Sequence, residues 1–153
     1  MFKYAFLLLS LASHLAHADL IKPDDQDYWT VDGLAHYVRS REDDNYYVRF
    51  VSNHNNPSVV AFAGHGRFCI DEGQTTKMKV QYQWVNFIQR CSSGRAYWIP
   101  KSQQGINFVK KEFSGNSDVQ IMFNNVVYSF STKKYTSVRQ HWERTLKTLG
   151  KAL

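Results

Sequence analysis

The chain has 153 residues, of which 43% are hydrophobic and 15% are aromatic, and its formal net charge is +6 at pH 7. This composition excludes an intrinsically disordered chain, and no stretch after residue 18 is long and apolar enough for a transmembrane helix. We therefore expect a folded protein whose mature chain has no transmembrane segment.

The first 18 residues have the pattern of a cleaved secretory signal peptide. A single charged residue precedes an apolar stretch over 5–12, and the small residues Ala16 and Ala18 precede the expected cleavage point. This stretch is too short to cross a hydrocarbon core about 30 Å thick, which requires about 20 helical residues. We therefore predict export to a bacterial periplasm or secretion. Residues 19–153 are predicted to form one domain, which begins with an extended, mostly solvated lead-in over 19–27.

Three strands are predicted in the first part of this domain. The segments at 33–40 and 45–52 alternate with a period of two, and the acidic sequence REDDN between them predicts a hairpin. The apolar run at 59–63 predicts a third, short strand, which we expect to end at Gly64 and Gly66.

The two cysteines of the mature chain, Cys69 and Cys91, are predicted to form a disulfide, because an even cysteine count in an exported protein favours oxidation. The competing interpretations are a metal site that pairs His65 with Cys69, and a nucleophilic Cys69. Gly64 and Gly66 favour a turn over the helix that such a ligand pair needs. We therefore predict a structural disulfide, no bound metal and no cofactor.

The segment KMKVQYQW at 77–84 has the clearest strand pattern of the chain. Its alternating apolar positions are Met78, Val80, Tyr82 and Trp84. This predicts one strand with those four side chains on one face. The apolar positions change register after Trp84, which predicts a bulge or bend, and a further strand is expected to end at Pro100.

The spacing of apolar residues becomes helical after Pro100. Ser102 is a candidate N-cap, and Ile106, Val109 and Phe113 follow at helical spacing. We expect Gly115 to end this helix in the left-handed conformation.

A hairpin and a second helix complete the chain. Asn124 and Asn125 tolerate positive φ and lie between two strand patterns, which predicts a tight hairpin. From about Thr136, the apolar spacing predicts an amphipathic helix that covers the sheet of its own domain. The predicted fold class is α+β, with an antiparallel sheet meander followed by helix, β-hairpin and C-terminal amphipathic helix.

Charge is distributed unevenly along the mature chain. Residues 19–72 carry ten acidic and five basic side chains, whereas residues 73–153 carry thirteen basic and three acidic ones. The basic half can bind an anionic partner, although the simpler interpretation is that it faces the acidic half of the same fold. The candidate binding surface is a basic face formed by Arg90, Arg95, Lys101, Lys110 and Lys111.

Other candidate sites have weaker support. Aromatic residues that lie near Arg49, Arg90 or Arg95 can stack on sugar rings or bases, but we expect most of them to pack in the core or across strands. No catalytic motif is present, and we assign no catalytic residue. A hydrolase would require His36, His65 or His141 to meet a carboxylate in a pocket.

These features predict an exported, non-enzymatic binding protein of the inhibitor or immunity type, whose ligand is another protein and not a nucleic acid. The first alternative is a peripheral envelope protein that contacts anionic lipid or a cell-wall polymer through the basic face. The second alternative is a small hydrolase.

Overall fold

A computed structural model describes residues 25–53, 55–115 and 118–151. The predicted signal peptide and residues 19–24 of the lead-in lie outside these ranges. The described residues form nine strands and two helices, which agrees with the predicted α+β class in outline, although the sheet dominates. The strands are β1 (Thr30–Asp32), β2 (Ala35–Arg39), β3 (Tyr46–Asn53), β4 (Asn56–Phe68), β5 (Thr75–Val80), β6 (Gln83–Ser92), β7 (Arg95–Pro100), β8 (Val119–Phe123) and β9 (Val126–Phe130), and the helices are α1 (Gln103–Phe113) and α2 (Tyr135–Lys151).

All nine strands belong to one antiparallel sheet with the order β1-β2-β3-β4-β7-β6-β5-β8-β9. The predicted meander is therefore wrong after β4, because β4 pairs with β7 and β5 lies two strands further along the sheet. The predicted β2–β3 hairpin is present, and so is the β8–β9 hairpin, where Asn124 and Asn125 have φ of +50° and +63°. Strand β4 was predicted to end at Gly64, but it continues to Phe68. Its extension is possible because glycine in a strand permits local bending without ending the ladder, and the pairing of β4 with β7 shifts register between Ala63 and Phe68.

The prediction of one strand over 77–84 is wrong. The chain reverses at Gln81 and Tyr82, where Gln81 has a φ of +53°, and Val80 pairs with Gln83 across the hairpin. Met78 and Val80 are therefore buried, whereas Tyr82 and Trp84 are exposed. The register change after Trp84, which predicted a bulge, instead reflects the return strand β6.

Helix α1 begins where the sequence predicts. The Ser102 hydroxyl accepts a hydrogen bond from the Gly105 N–H at 3.1 Å, which satisfies one of the free donors of the first turn. The predicted left-handed ending at Gly115 is wrong, because Gly115 has no positive φ. Instead Ser114, with φ of −83°, closes the helix through its N–H and its hydroxyl, both bonded to the carbonyl of Lys110.

Helix α2 covers part of the sheet, as predicted. Val138 and Trp142 belong to the main core cluster, and the Trp142 indole N–H donates to the carbonyl of Pro57 at 2.7 Å. Arg144 and Lys147 are exposed on the opposite face. Within the described ranges, neither helix combines the length and apolar character needed to cross a bilayer.

The sheet curls around the main core, which fills its inner face. Phe62 of β4 is 1% exposed and contacts three rings of the last hairpin: Phe123, Tyr128 and Phe130. Four strands separate β4 from β9 in the sheet order, so only a strongly curled sheet brings these rings together. A hydrogen bond of 3.1 Å from the Arg41 N–H to the Ser129 carbonyl connects the two ends of the curled sheet.

The outer face of the sheet carries a second, smaller cluster. Val59, Ala61 and Ile99 pack there with Ile106 of α1. The rest of the outer face has no helix over it in the described residues, since α2 packs on the inner side with the main core.

Candidate functional site

Two copies of the tripeptide Tyr-Val-Arg build the first part of the site. They lie at residues 37–39 in β2 and 47–49 in β3, and the hairpin register pairs Tyr37 with Arg49 and Arg39 with Tyr47. The central valines are fully buried, so the flanking tyrosines and arginines all point to the outer face. Two arginines and two tyrosines therefore lie next to one another on the outer face of the β2–β3 hairpin.

Strands β4, β7 and β6 continue this surface. Directly paired residues share a face of the sheet. The ladder joins Tyr47 to Ala63, Ala63 to Tyr97 and Tyr97 to Arg90. Because Ala63 is small, it leaves a depression between the tyrosines of β3 and β7.

Two adjoining cavities occupy this region. The first has a volume of about 250 Å³ and the second about 330 Å³, and they share Tyr47, Arg49 and Arg95. We call the combined surface the outer cleft, and its principal side chains are Tyr37, Arg39, Tyr47, Arg49, His65, Arg95 and Tyr97.

Arg39 already has partners within the protein. Its guanidinium lies 3.6 Å from the Asp25 carboxylate, donates to the carbonyl of Asp44 at 2.8 Å and lies 3.3 Å from His65 Nε2. Asp25 also accepts a hydrogen bond from the Tyr37 hydroxyl at 2.9 Å. Burial, together with this hydrogen bond, raises the pKa of Tyr37. Asp25 is 4% exposed, so this residue of the predicted lead-in is buried, where its carboxylate faces the guanidinium of Arg39.

Arg49 and Arg95 differ from Arg39, because neither forms an ion pair with any described residue. The Nε atom of Arg49 is buried and has no hydrogen-bond partner among the described residues. Burial and the positive charges of Arg39 and Arg95 lower the pKa of His65, against the opposing effect of Asp44. Asp32 also lines the first cavity, but the three arginines of the outer cleft outnumber this carboxylate and that of Asp25. The outer cleft therefore has a surplus of positive charge that is suited to an anionic group.

The five residues of the predicted basic face lie in β6, in β7, in α1 and in the link between β7 and α1. Arg90 and Arg95 lie on the outer face of the sheet, and Arg90 is 4.0 Å from Glu72. Lys101 precedes α1, and Lys110 and Lys111 lie in its last turn. Of the five, only Arg95 lines the outer cleft among the described residues.

The histidines fall into two separate places. His36 and His141 meet between β2 and α2 with 2.8 Å between His36 Nε2 and His141 Nδ1. His36 Nδ1 lies 3.2 Å from the carbonyl of Leu34, which can only accept, so neutral His36 carries its proton on Nδ1 and accepts from His141. His65 lies on the outer face instead, and His54 lies outside the described residues.

The described part of the chain contains no group of three or more potential metal ligands among its His, Cys, Asp and Glu side chains. Cys69 and Cys91 are joined by a disulfide with their Cα atoms 5.6 Å apart, in agreement with the predicted pairing. This bond links the end of β4 to the end of β6, beside the β6–β7 turn that borders the outer cleft.

The outer cleft was not predicted as a unit, although a sequence signal for it exists. The repeated Tyr-Val-Arg tripeptide on two strands of one hairpin places its flanking residues on one face. Comparisons with protein-family models, with curated proteins and with solved structures find no match to this chain.

Proposed function

We propose that this chain is an exported, non-enzymatic binding protein that recognises an acidic surface of another protein through the outer cleft. The observation that carries the proposal is the presence of Arg49 and Arg95, without ion-pair partners among the described residues, beside Tyr37, Tyr47 and Tyr97. An acidic partner supplies the carboxylates that these two guanidinium groups lack.

The composition of the cleft supports a protein ligand. Tyrosine and arginine are enriched at the residues that contribute most to protein–protein affinity. Tyrosine adds a large contact area with little loss of side-chain entropy, and arginine binds carboxylates through two parallel hydrogen bonds. All of the cleft tyrosines lie on strands, so the partner meets a surface that is already ordered.

Export is part of the proposal and rests on two features. The disulfide between Cys69 and Cys91 is compatible with an oxidising compartment, and the pattern of the first 18 residues is that of a signal peptide. Both features suit a partner that is met in the periplasm or outside the cell.

The test is quantitative affinity capture from a periplasmic extract with the mature chain as bait. The test variant is Arg49→Glu with Arg95→Glu, and the matched control is Arg144→Glu with Lys147→Glu, which makes the same charge change on the exposed face of α2. We expect a partner that is retained by wild type and by the control, is lost with the cleft variant, and is released by salt.

Arg49 is partly buried, so the single change Arg95→Glu, at an exposed residue, is measured in parallel, together with the thermal midpoint of each variant. A partner that binds the cleft variant as strongly as wild type would refute the proposal. Loss of binding in the control variant as well would assign recognition to total charge and not to the outer cleft.

A further inference from the structure

The β5–β6 hairpin carries two exposed aromatic side chains at its tip. Tyr82 is 71% exposed and Trp84 is 56% exposed, whereas the other three tryptophans, Trp29, Trp98 and Trp142, are buried. The ring of Tyr82 packs edge-on against Phe108 of α1, with 5.8 Å between the centroids. Helix α1 therefore supports the ring of Tyr82, and neither Tyr82 nor Trp84 belongs to a core cluster.

Three lysines lie on the side of the hairpin that carries Trp84. Lys79 is directly opposite Trp84 in the ladder, and Lys77 lies two residues earlier on the same face. Lys101 borders a groove of about 470 Å³ together with Trp84. None of the three lysines forms an ion pair with any residue in the described ranges. We call these five side chains, Lys77, Lys79, Tyr82, Trp84 and Lys101, the hairpin patch.

Apolar side chains lie beside Lys79 on the outer face of the sheet. The neighbour of Lys79 in β8 is the partly buried Met122, and the neighbour of Met122 in β9 is Val127, which is 43% exposed. The outer face at this end of the sheet therefore presents apolar and aromatic side chains with lysines between them.

We propose that the hairpin patch docks the protein reversibly on the surface of an anionic lipid bilayer. Tryptophan and tyrosine partition to the boundary between headgroups and acyl chains, where the ring is in apolar surroundings and its polar atom remains hydrated. Lysines beside them are attracted to anionic headgroups and keep their long side chains extended toward the water.

A bilayer fits this patch better than a protein partner. Lysine is depleted from the cores of protein interfaces, whereas tyrosine and arginine are enriched there. The hairpin patch has lysine as its cation, while the outer cleft has arginine. This inference does not depend on the function proposed for the outer cleft.

The experiment uses the mature chain with vesicles of phosphatidylcholine alone or of phosphatidylcholine with phosphatidylglycerol. Because Trp84 is the exposed tryptophan, a shift of emission to shorter wavelength and a loss of acrylamide quenching report its insertion. We expect both changes with the anionic vesicles only, and we expect salt to reverse them.

Variants assign the binding to the patch. Cosedimentation with anionic vesicles should fall at least fivefold in Trp84→Ala and in Lys79→Glu. Lys147→Glu, the same charge change on the exposed face of α2, should leave it unchanged. Circular dichroism and the thermal midpoint establish that each variant is folded, which is expected because Trp84 and Lys79 lie outside the core.

Four results would overturn the proposal. The first is the absence of binding to anionic vesicles at low salt, and the second is binding that Trp84→Ala leaves unchanged. The third is an equal shift of Trp84 emission with soluble dextran sulfate, which would make the ligand of the patch a polyanion in solution. Loss of vesicle binding in Lys147→Glu but not in Lys79→Glu would assign the contact to α2 and would refute the hairpin patch.

Discussion

The buried histidine His36 should make the protein less stable as the pH falls below neutrality. His36 is 1% exposed and contacts His141. Burial lowers its pKa, and the charges of His141 and Arg49 act in the same direction, against the hydrogen bond to Leu34. The imidazole therefore resists protonation in the folded state.

Proton linkage determines whether stability rises or falls with pH. An unfolded chain protonates this imidazole near its ordinary pKa of about 6.5, whereas the folded chain does so only at lower pH. The stabilisation is complete above the unfolded pKa and is lost as the pH falls from there toward the folded pKa. Within this window, one proton of difference lowers the free energy of unfolding by up to about 1.4 kcal/mol per pH unit.

The assay is urea unfolding, followed by circular dichroism, at half-unit steps between about pH 5 and pH 8. His36→Gln should remove the contribution of His36 to the slope below pH 6.5, although it also costs stability at every pH because the ring contact with Trp142 is lost. His65 has a lowered pKa as well, so His65→Gln measures its share separately. If His36→Gln retains the full slope of the wild type, the assignment of this acid sensitivity to His36 is wrong.

Three further predictions concern stability and use the same unfolding assay. Phe62→Ala should lower the free energy of unfolding by about 3–5 kcal/mol, because it leaves a cavity at the centre of the core; a loss below about 1 kcal/mol would contradict the central position of this ring. Cys69→Ser with Cys91→Ser should cost about 3 kcal/mol, because the disulfide closes a loop with a sequence separation of 22, and a reductant should destabilise wild type but not this variant. Ser102→Ala should cost about 1 kcal/mol and Ser102→Gly less, since glycine is itself an acceptable N-cap; equal losses would argue against the cap.

The elements that the sequence predicted correctly are those whose signals are local. Ser102 starts α1 through a hydrogen bond to a residue three positions away. Asn124 and Asn125 both adopt the positive φ that a two-residue hairpin requires. In these cases the residues that determine the conformation are also the residues that adopt it.

The hairpin at Gln81 and Tyr82 was missed because its signal is not local. Neither residue is typical of a turn, and the alternation of apolar residues continues across it without interruption. Contacts with the neighbouring strand stabilise the turn: the Gln81 backbone N–H donates to Gln120 at 2.8 Å, and its side-chain amide donates to Asp118 at 3.0 Å. Period-two alternation alone cannot distinguish a long strand from two short strands joined by such a turn.

The outer cleft was missed for a similar reason. Along the chain, Arg39 and Arg49 belong to the acidic half, whereas in the fold Arg49 lines the same cavity as Arg95 of the basic half. The pairing of β4 with β7 creates this neighbourhood, and it joins segments about 35 residues apart. Strand register, and not net charge, determines which cations share a surface.

The same geometry separates the outer cleft from the hairpin patch. Arg95 pairs with Ser92 at one end of β6, and Trp84 lies near the other end of this strand. Ser92 and Trp84 are eight residues apart, which corresponds to about 27 Å at the usual rise of about 3.4 Å per residue. This exceeds the Debye length of about 8 Å at physiological ionic strength, so a charge reversal at one surface is screened from the other. Arg95→Glu should therefore reduce capture of the protein partner without changing vesicle binding, and Lys79→Glu should do the reverse. If either change impaired both activities in a folded protein, the two surfaces would have to act as one site. The assignment of protein binding to the arginines of the outer cleft and of lipid binding to the lysines of the hairpin patch would then be wrong.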